Sequence, residues 1–169
     1  MPEDIFNTDY WKQRIDTRGD DIHRSMYVGS TGQFEEINKR HKNFLEYYQI
    51  GPHESIIDIG CGYGRLLEML PKDWIGDYLG IDLSLDMLKL AKERYPNRTF
   101  WECNLLNEDE TLNILYKARK HFKFKRKEKF DAAICLWIKD MVINNKGEES
   151  WDIMLKNIMK LAENIMIVA

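Results

Sequence analysis

From residue 55 to residue 82 the chain runs Ser55-Ile56-Ile57-Asp58-Ile59, Gly60-Cys61-Gly62-Tyr63-Gly64, Arg65-Leu66-Leu67-Glu68-Met69-Leu70, and then Tyr78-Leu79-Gly80-Ile81-Asp82. A short apolar, β-branched run of this kind predicts a buried strand. Three glycines at alternate positions remove three side chains from the turn that follows, so the backbone can bend tightly and lie bare against a ligand. The leucine-rich stretch after them predicts a helix, and Tyr78 to Asp82 a second strand. Strand, glycine turn, helix and strand is the opening of a parallel βα arrangement, and the rest of the chain repeats its rhythm. A helix over Gln33 to Gln49 precedes it and stops at Ile50-Gly51-Pro52. After Asp82 comes a helix with Leu85, Leu88, Leu90 and Ala91 on one side, closed by Pro96. Thr99 to Trp101 predicts a third strand, Leu112 to Ala118 a helix, Phe130 to Trp137 a fourth strand, Trp151 to Ala162 a helix and Ile165 to Val168 a fifth strand. The expected class is therefore α/β: a parallel sheet of about five strands with helices on both faces, spanning residues 33–169, behind an amino-terminal arm of residues 1–32 that is partly helical.

Composition narrows the setting. With 169 residues, 44% of them hydrophobic, the chain is long enough to close one core without covalent staples. Cys61, Cys103 and Cys135 are odd in number and form no C-x-x-C pair, so neither a disulfide framework nor a zinc site is expected, and a reducing, cytoplasmic setting is. No apolar run reaches the ~20 residues a membrane span needs, and the amino terminus lacks the pattern of a signal peptide. Lys and Arg number 25 against 28 Asp and Glu, so no global attraction to nucleic acid or to an anionic membrane is expected.

In an open α/β sheet the ligand lies at the carboxyl ends of the strands, which directs attention to the glycine turn. Asp82 ends the second strand 22 residues after Gly60, where a carboxylate can accept both hydroxyl hydrogens of a ribose. Asp58 adds a second carboxylate just before the turn. Dinucleotide sites read G-x-G-x-x-G and seat a pyrophosphate on the helix that follows. Here the glycines read G-x-G-x-G behind an acidic residue, with no evident phosphate ligand, and a positively charged nucleoside fits better.

These residues resemble the first motif of the class I, Rossmann-like S-adenosylmethionine-dependent methyltransferases: an acidic residue, any residue, then G-x-G-x-G, matched throughout by Asp58 to Gly64. The resemblance extends to Tyr78 to Asp82 with Leu83-Ser84-Leu85-Asp86-Met87, similar to the second motif, and covers residues 35–169. It implies that the donor is S-adenosylmethionine, leaving as S-adenosylhomocysteine, with Asp82 on the ribose hydroxyls. Gly60, Cys61, Gly62 and Gly64 then face the methionine part, and Leu83 or Met87 borders the adenine. Where the family usually places an adenine-binding Asp, this chain has Asn104, followed by Leu105; the amide oxygen can accept the same bond. Phe130 to Trp137 resembles the fourth motif, whose last residues, here Cys135 to Trp137, line the gap between donor and acceptor. Tyr10-Trp11-Lys12-Gln13-Arg14 resembles the amino-terminal segment of several small-molecule members, which makes Arg14, with His23 and Arg24, a candidate for the donor's carboxylate.

On the acceptor side the candidates are Trp137, Lys139 and Asp140, with Tyr10, Trp11, His23 and Tyr27 from the arm. Asp140 is the carboxylate placed to take a proton, and Trp137 the ring placed to position an acceptor. A small-molecule acceptor is expected. Amine-methylating DNA enzymes of the family carry an Asn or Asp-Pro-Pro-aromatic run where this chain has Cys135-Leu136-Trp137-Ile138. The basic stretch Lys117, Arg119, Lys120, Lys123, Lys125, Arg126, Lys127 and Lys129, interleaved with Phe122 and Phe124, has the composition of a single-strand binding surface. It leads into the start of the fourth strand, away from the expected donor, and reads better as a solvated connection. The alternatives are a nucleic-acid methyltransferase served by that stretch and a catalytically silent binding module acting through a partner. The family's usual antiparallel hairpin beyond the fifth strand has no counterpart in this sequence, which leaves an apolar edge and an expectation of self-association through it.

Overall fold

The computed structural model describes residues 8–18, 31–124 and 128–168. Five strands form one parallel sheet: β1 (Ile56–Ile59), β2 (Tyr78–Asp82), β3 (Thr99–Glu102), β4 (Phe130–Leu136) and β5 (Ala162–Val168), in the order β3-β2-β1-β4-β5. Six helices are present among the described residues: α1 (Thr8–Arg18), α2 (Thr31–Tyr48), α3 (Leu85–Arg94), α4 (Glu108–His121), α5 (Ile138–Lys146) and α6 (Glu148–Leu161). None is long and apolar enough to cross a membrane.

Alternation along the strands decides which face each residue serves. Ile57, Ile59, Leu79, Ile81, Ala133 and Cys135 meet α4 and α6 through Ile114, Leu115, Trp151, Met154 and Ile158. Ile56, Tyr78, Ala132 and Ile134 point the other way, against Leu45 of α2 and Leu88 and Ala91 of α3. All four residues of β1 are buried, as expected of a central parallel strand covered on both sides. Register between β1 and β4 is pinned at their amino ends: the Ser55 amide and hydroxyl both donate to Asp131 Oδ2 at 2.8 Å, and the Asp131 amide donates back to Ser55 Oγ at 3.0 Å. The order of connection reverses between β1 and β4, so their carboxyl ends open the crevice in which a ligand can sit.

Three local expectations are corrected. The stretch after the glycine turn is not a full helix but one 3-10 turn, Arg65–Glu68, capped by the left-handed Gly64. A helix unforeseen in the sequence, α5, follows β4 directly, because Trp137 turns the chain sharply with φ 68°. On α3 the buried side consists of Met87, Leu88 and Ala91, while Leu85 is 60% exposed. Ser84 caps that helix by accepting from the Met87 amide, which places Leu85 in the first turn facing solvent.

Candidate active site

Gly60, Gly62 and Gly64 all have positive φ, at 67°, 53° and 86°, a region that residues with a Cβ enter at a cost. The amides of Gly60 and Cys61 both donate to the Ile81 carbonyl, at 2.9 and 3.0 Å, so the turn folds over the end of β2. There Asp82 receives two more amides: Gly62 N–H on Oδ2 at 2.8 Å and Ser84 N–H on Oδ1 at 2.9 Å. Burial raises the pKa of this carboxyl, and the Ser84 and Gly62 amides pull it back. Asp82 lines the wall of a cavity at the carboxyl ends of the strands.

That cavity is lined by Trp11 of the arm and by Gly60, Cys61, Gly62, Asp82, Leu83, Met87, Leu105 and Trp137, all singled out in the sequence. Leu136, at the end of the fourth motif, also lines it as expected, and Tyr63, Arg65, Cys103, Ile138, Met141 and Met154, which were not foreseen, complete most of the wall. A Cβ on Gly60 would stand 2.1 Å from Ile138 Cδ1, so the turn and the start of α5 are in close approach. Leu105 is held in place from α6, whose Asn157 side chain donates to its carbonyl at 2.9 Å.

Of the other sequence candidates, Asp58, Gly64, Cys135, Asn104 and Asp140 stand behind or beside the wall rather than on it. Asp58 is buried beneath the turn, accepting from the Tyr78 hydroxyl at 2.7 Å. Burial pushes its pKa up to about 7, against the Tyr78 hydrogen bond and Arg65, which lower it, and with Asp82, which raises it. Gly64 caps the 3-10 turn, and Cys135 is fully buried in the core. Asn104 shapes the loop after β3, its Oδ1 accepting from the Leu106 amide at 3.0 Å while its own amide donates to Glu110 Oε2 at 2.7 Å. Asp140 is exposed and not part of the cavity lining. The side chain of Arg14, and residues 23, 24 and 27, lie outside the described residues.

Around Trp137 the site has a second polar layer. Arg65 donates from one terminal nitrogen to Asn38 Oδ1 at 2.6 Å and from the other to His41 Nδ1 at 3.1 Å. Because a guanidinium only donates, Nδ1 must be the bare nitrogen and Nε2 the protonated one. His41 is buried, and burial with the Arg65 charge beside it lowers its pKa to about 4, so the ring is neutral near pH 7. Its edge meets the Trp137 indole at 6.3 Å between centroids. Trp137 is half-buried, left-handed at the amino end of α5, and tied by its amide to the Val168 carbonyl at 2.7 Å. A non-glycine residue held in that conformation costs about 1–3 kcal/mol, a strain found at functional sites. Burial raises the thiols of Cys61 and Cys103, the latter to about 12, and also raises the Tyr63 phenol, so all three keep their protons.

A cavity with apolar walls at the crevice, a bare glycine turn along one side and an amide-held carboxylate at the end of β2 suits a nucleoside with an apolar, cationic centre. Comparison with known proteins agrees. Residues 56–162 match the family model of the methyltransferase domain. A putative methyltransferase of Invertebrate iridescent virus 6 is 31% identical over 131 residues, 76% of this chain and 42% of the viral protein. A trans-aconitate 2-methyltransferase of Afipia carboxidovorans is 49% identical over 51 residues, 30% of this chain and 20% of that enzyme. In both cases the matched segment spans less than half the relative's length. Among solved structures, magnesium protoporphyrin IX methyltransferase from Synechocystis PCC 6803 shares the fold at a TM-score of 0.55 and 18% identity, over 95% of this chain and 68% of that one. By its motif, its sheet order and its family match, the chain belongs to the methyltransferase-domain family, among the class I, Rossmann-like S-adenosylmethionine-dependent methyltransferases.

Proposed function

We propose that the chain transfers a methyl group from S-adenosylmethionine to a small-molecule acceptor. The observation that carries this reading is Asp82, whose carboxylate is fixed by the Gly62 and Ser84 amides on the wall of the same cavity that Trp137 lines. Asp82 would take the ribose hydroxyls, Leu83 and Met87 the purine, and the backbone of Gly60 to Gly62 the methionine part. In the transfer a bond forms between the acceptor atom and the methyl carbon while the carbon–sulfur bond breaks, its electron pair staying on sulfur. Such a displacement is accelerated by holding the two reactants in line and keeping water out. The relatives named for trans-aconitate support a small acceptor. So does the basic stretch: Phe122 is buried and Phe124 half-buried, packed on each other and on Phe130, so neither ring offers a stacking surface for bases.

Calorimetric titration with S-adenosylhomocysteine tests the donor site, and micromolar affinity is expected; no heat at millimolar ligand would refute the reading. For the transfer step, Trp137→Ala should lower kcat by about 10- to 100-fold through misplaced reactants while leaving donor affinity within about twofold. Asp140→Ala, at an exposed position off the wall, should change neither by more than about twofold. A kcat that follows Asp140 and ignores Trp137 would reverse these roles.

Among the described residues β5 pairs only with β4, and its half-buried Ile165, Ile167 and Val168 pack against the cores on the two faces of the sheet. An unpaired apolar edge invites a second strand. We propose self-association there, with dimers at micromolar concentration in sedimentation velocity and a shift to monomer on Ile167→Lys; a single monomeric boundary at all concentrations would exclude it.

A further inference from the structure

The backbone of Trp137 is tied at both of its polar atoms: the amide donates to the Val168 carbonyl at 2.7 Å, and the carbonyl accepts from the Met141 amide at 3.4 Å. Ile138, the next residue, lies against the glycine turn, so close that a Cβ on Gly60 would stand 2.1 Å from its Cδ1. The chain at this point is therefore held from β5, from α5 and from the turn after β1 at once. What remains to be set is the plane of the indole, which turns about two side-chain torsions. Trp137 lines the cavity, so that plane shapes the space left beside a bound donor.

The ring of His41 crosses the Trp137 ring at 86°, with centroids 6.3 Å apart, in the T-shaped arrangement that aromatic rings favour. His41 is 2% exposed and is not among the residues of the cavity wall, so it can act on a ligand only through what it touches. An imidazole left to itself has two flips of similar energy about its last torsion, and its contact with the indole would differ between them. Here the flip is chosen, because Nδ1 accepts from a terminal nitrogen of Arg65 at 3.1 Å. The other terminal nitrogen donates to Asn38 Oδ1 at 2.6 Å, so the guanidinium bridges two residues one turn apart on α2. The carboxylates of Asp58 and Glu68 act on the same guanidinium by charge, and it serves here as a tie within the protein.

Resting on the methyl-transfer reading above, we propose that His41 is a positioning residue: held by Arg65, it sets the plane of the Trp137 indole on the acceptor side of the cavity. Helix α2 thereby takes part in placing the acceptor although it contributes no residue to the described wall. The tie explains why a histidine stands at this buried position. A phenylalanine would supply the ring without the tie to Arg65, and an asparagine the tie without the ring. A turned indole would change the room for an acceptor while leaving Asp82, Leu83 and Met87, at the end of β2, where they are.

The test is fluorine NMR of the full chain carrying fluorotryptophan at its five tryptophans, with each signal assigned by its loss in a Trp→Phe variant. In wild type the Trp137 signal should be single and as broad as those of the buried Trp74 and Trp151. A narrow, averaged signal would show an indole that turns freely, and overturns the proposal without any variant at His41. His41→Asn removes the ring but keeps an oxygen for Arg65, and His41→Phe keeps a ring but removes the acceptor of the Arg65 bond. In both, the Trp137 signal should shift or split while those of Trp74 and Trp151 stay in place. A Trp137 signal unmoved in either folded variant overturns the assignment, and so does displacement of all three, the mark of a general structural role. Affinity for S-adenosylhomocysteine should stay within about twofold in both variants; a larger loss would make His41 a support of the glycine turn instead. The spectra are recorded without ligand, so a wild-type chain that fails to bind S-adenosylhomocysteine refutes the donor reading while the spectra still decide what sets the indole.

Discussion

Asp82→Ala should reduce affinity for S-adenosylhomocysteine by about 10- to 150-fold, the equivalent of about 1.5–3 kcal/mol for hydrogen bonds to a charged acceptor. On the proposed reading the direct loss is the acceptor for two ribose hydroxyls. A second loss is internal, because the same carboxylate bonds the Gly62 amide on one oxygen and the Ser84 amide on the other. Without it the glycine turn and the start of α3 are no longer fastened to a common point, and the bound geometry must be organised by the ligand itself. Asp82→Asn separates the two contributions. Its single carbonyl oxygen can retain one of the two amides, but the side-chain NH2 faces the other N–H and carries no charge for the ribose. Its affinity should lie between wild type and Asp82→Ala in isothermal titration. Equal affinities in all three proteins would remove Asp82 from the donor site.

The second large effect is on stability, and its sign depends on pH. Asp58 ionises near its ordinary value of 3.8 when unfolded and at about 7 in the folded chain, because burial disfavours its charge more than Tyr78 and Arg65 favour it. Between those values the folded state holds a proton that the unfolded state has released, so the stabilising contribution of this group is full below about pH 4 and is lost as pH rises through about 7. His41 works in the opposite sense: its folded pKa is lowered from 6.5 to about 4, so stability is lost as pH falls through that window. Asp58→Asn isolates the first effect, since an amide oxygen can still accept from the Tyr78 hydroxyl. The variant should match wild type near pH 4 and exceed it by about 2–4 kcal/mol at pH 8, read from urea midpoints at the two pH values. A difference independent of pH would show that the folded Asp58 ionises normally. A gain of this kind at the cost of activity would also explain a carboxylate kept where it destabilises.

The glycine-turn side of the cavity was legible because it is local in sequence. Asp58 to Gly64 and Tyr78 to Asp82 are short segments whose residue types answer to backbone needs, and the structure places Gly60, Gly62 and Asp82 together as the spacing implied. The sheet class was legible for the same reason, through strands that read as apolar runs and helices that alternate with them. Other features came from tertiary contact and left no pattern to read. The stretch Arg65-Leu66-Leu67-Glu68 has helical residues yet makes one 3-10 turn, because Leu66 is drawn into the core beside β1. Leu85 looks like a core leucine but sits on the solvent side of the Ser84 cap. Arg65 meets Asn38 and His41, 27 and 24 positions earlier, and no periodicity announces such a meeting. Asp140 illustrates the converse: its distance from β4 is right in sequence, but α5 begins immediately at Ile138 and carries that side chain outward.

The order β3-β2-β1-β4-β5 also governs when the site can exist during folding. Every neighbouring pair is parallel, so no pairing can form by a simple hairpin and each requires a crossover. The crevice is walled by the turn after β1 and the turn after β4, whose strands pair Ile59 with Cys135 across 76 positions of chain. Contacts of such separation form late and slowly. A nascent or partly refolded chain therefore presents β1, β2 and a finished glycine turn while still lacking the opposite wall, and ligand can be captured only after the central pairing has closed. Acquisition of donor binding should thus mark completion of the whole sheet, and ligand can slow unfolding without hastening the folding step that precedes it.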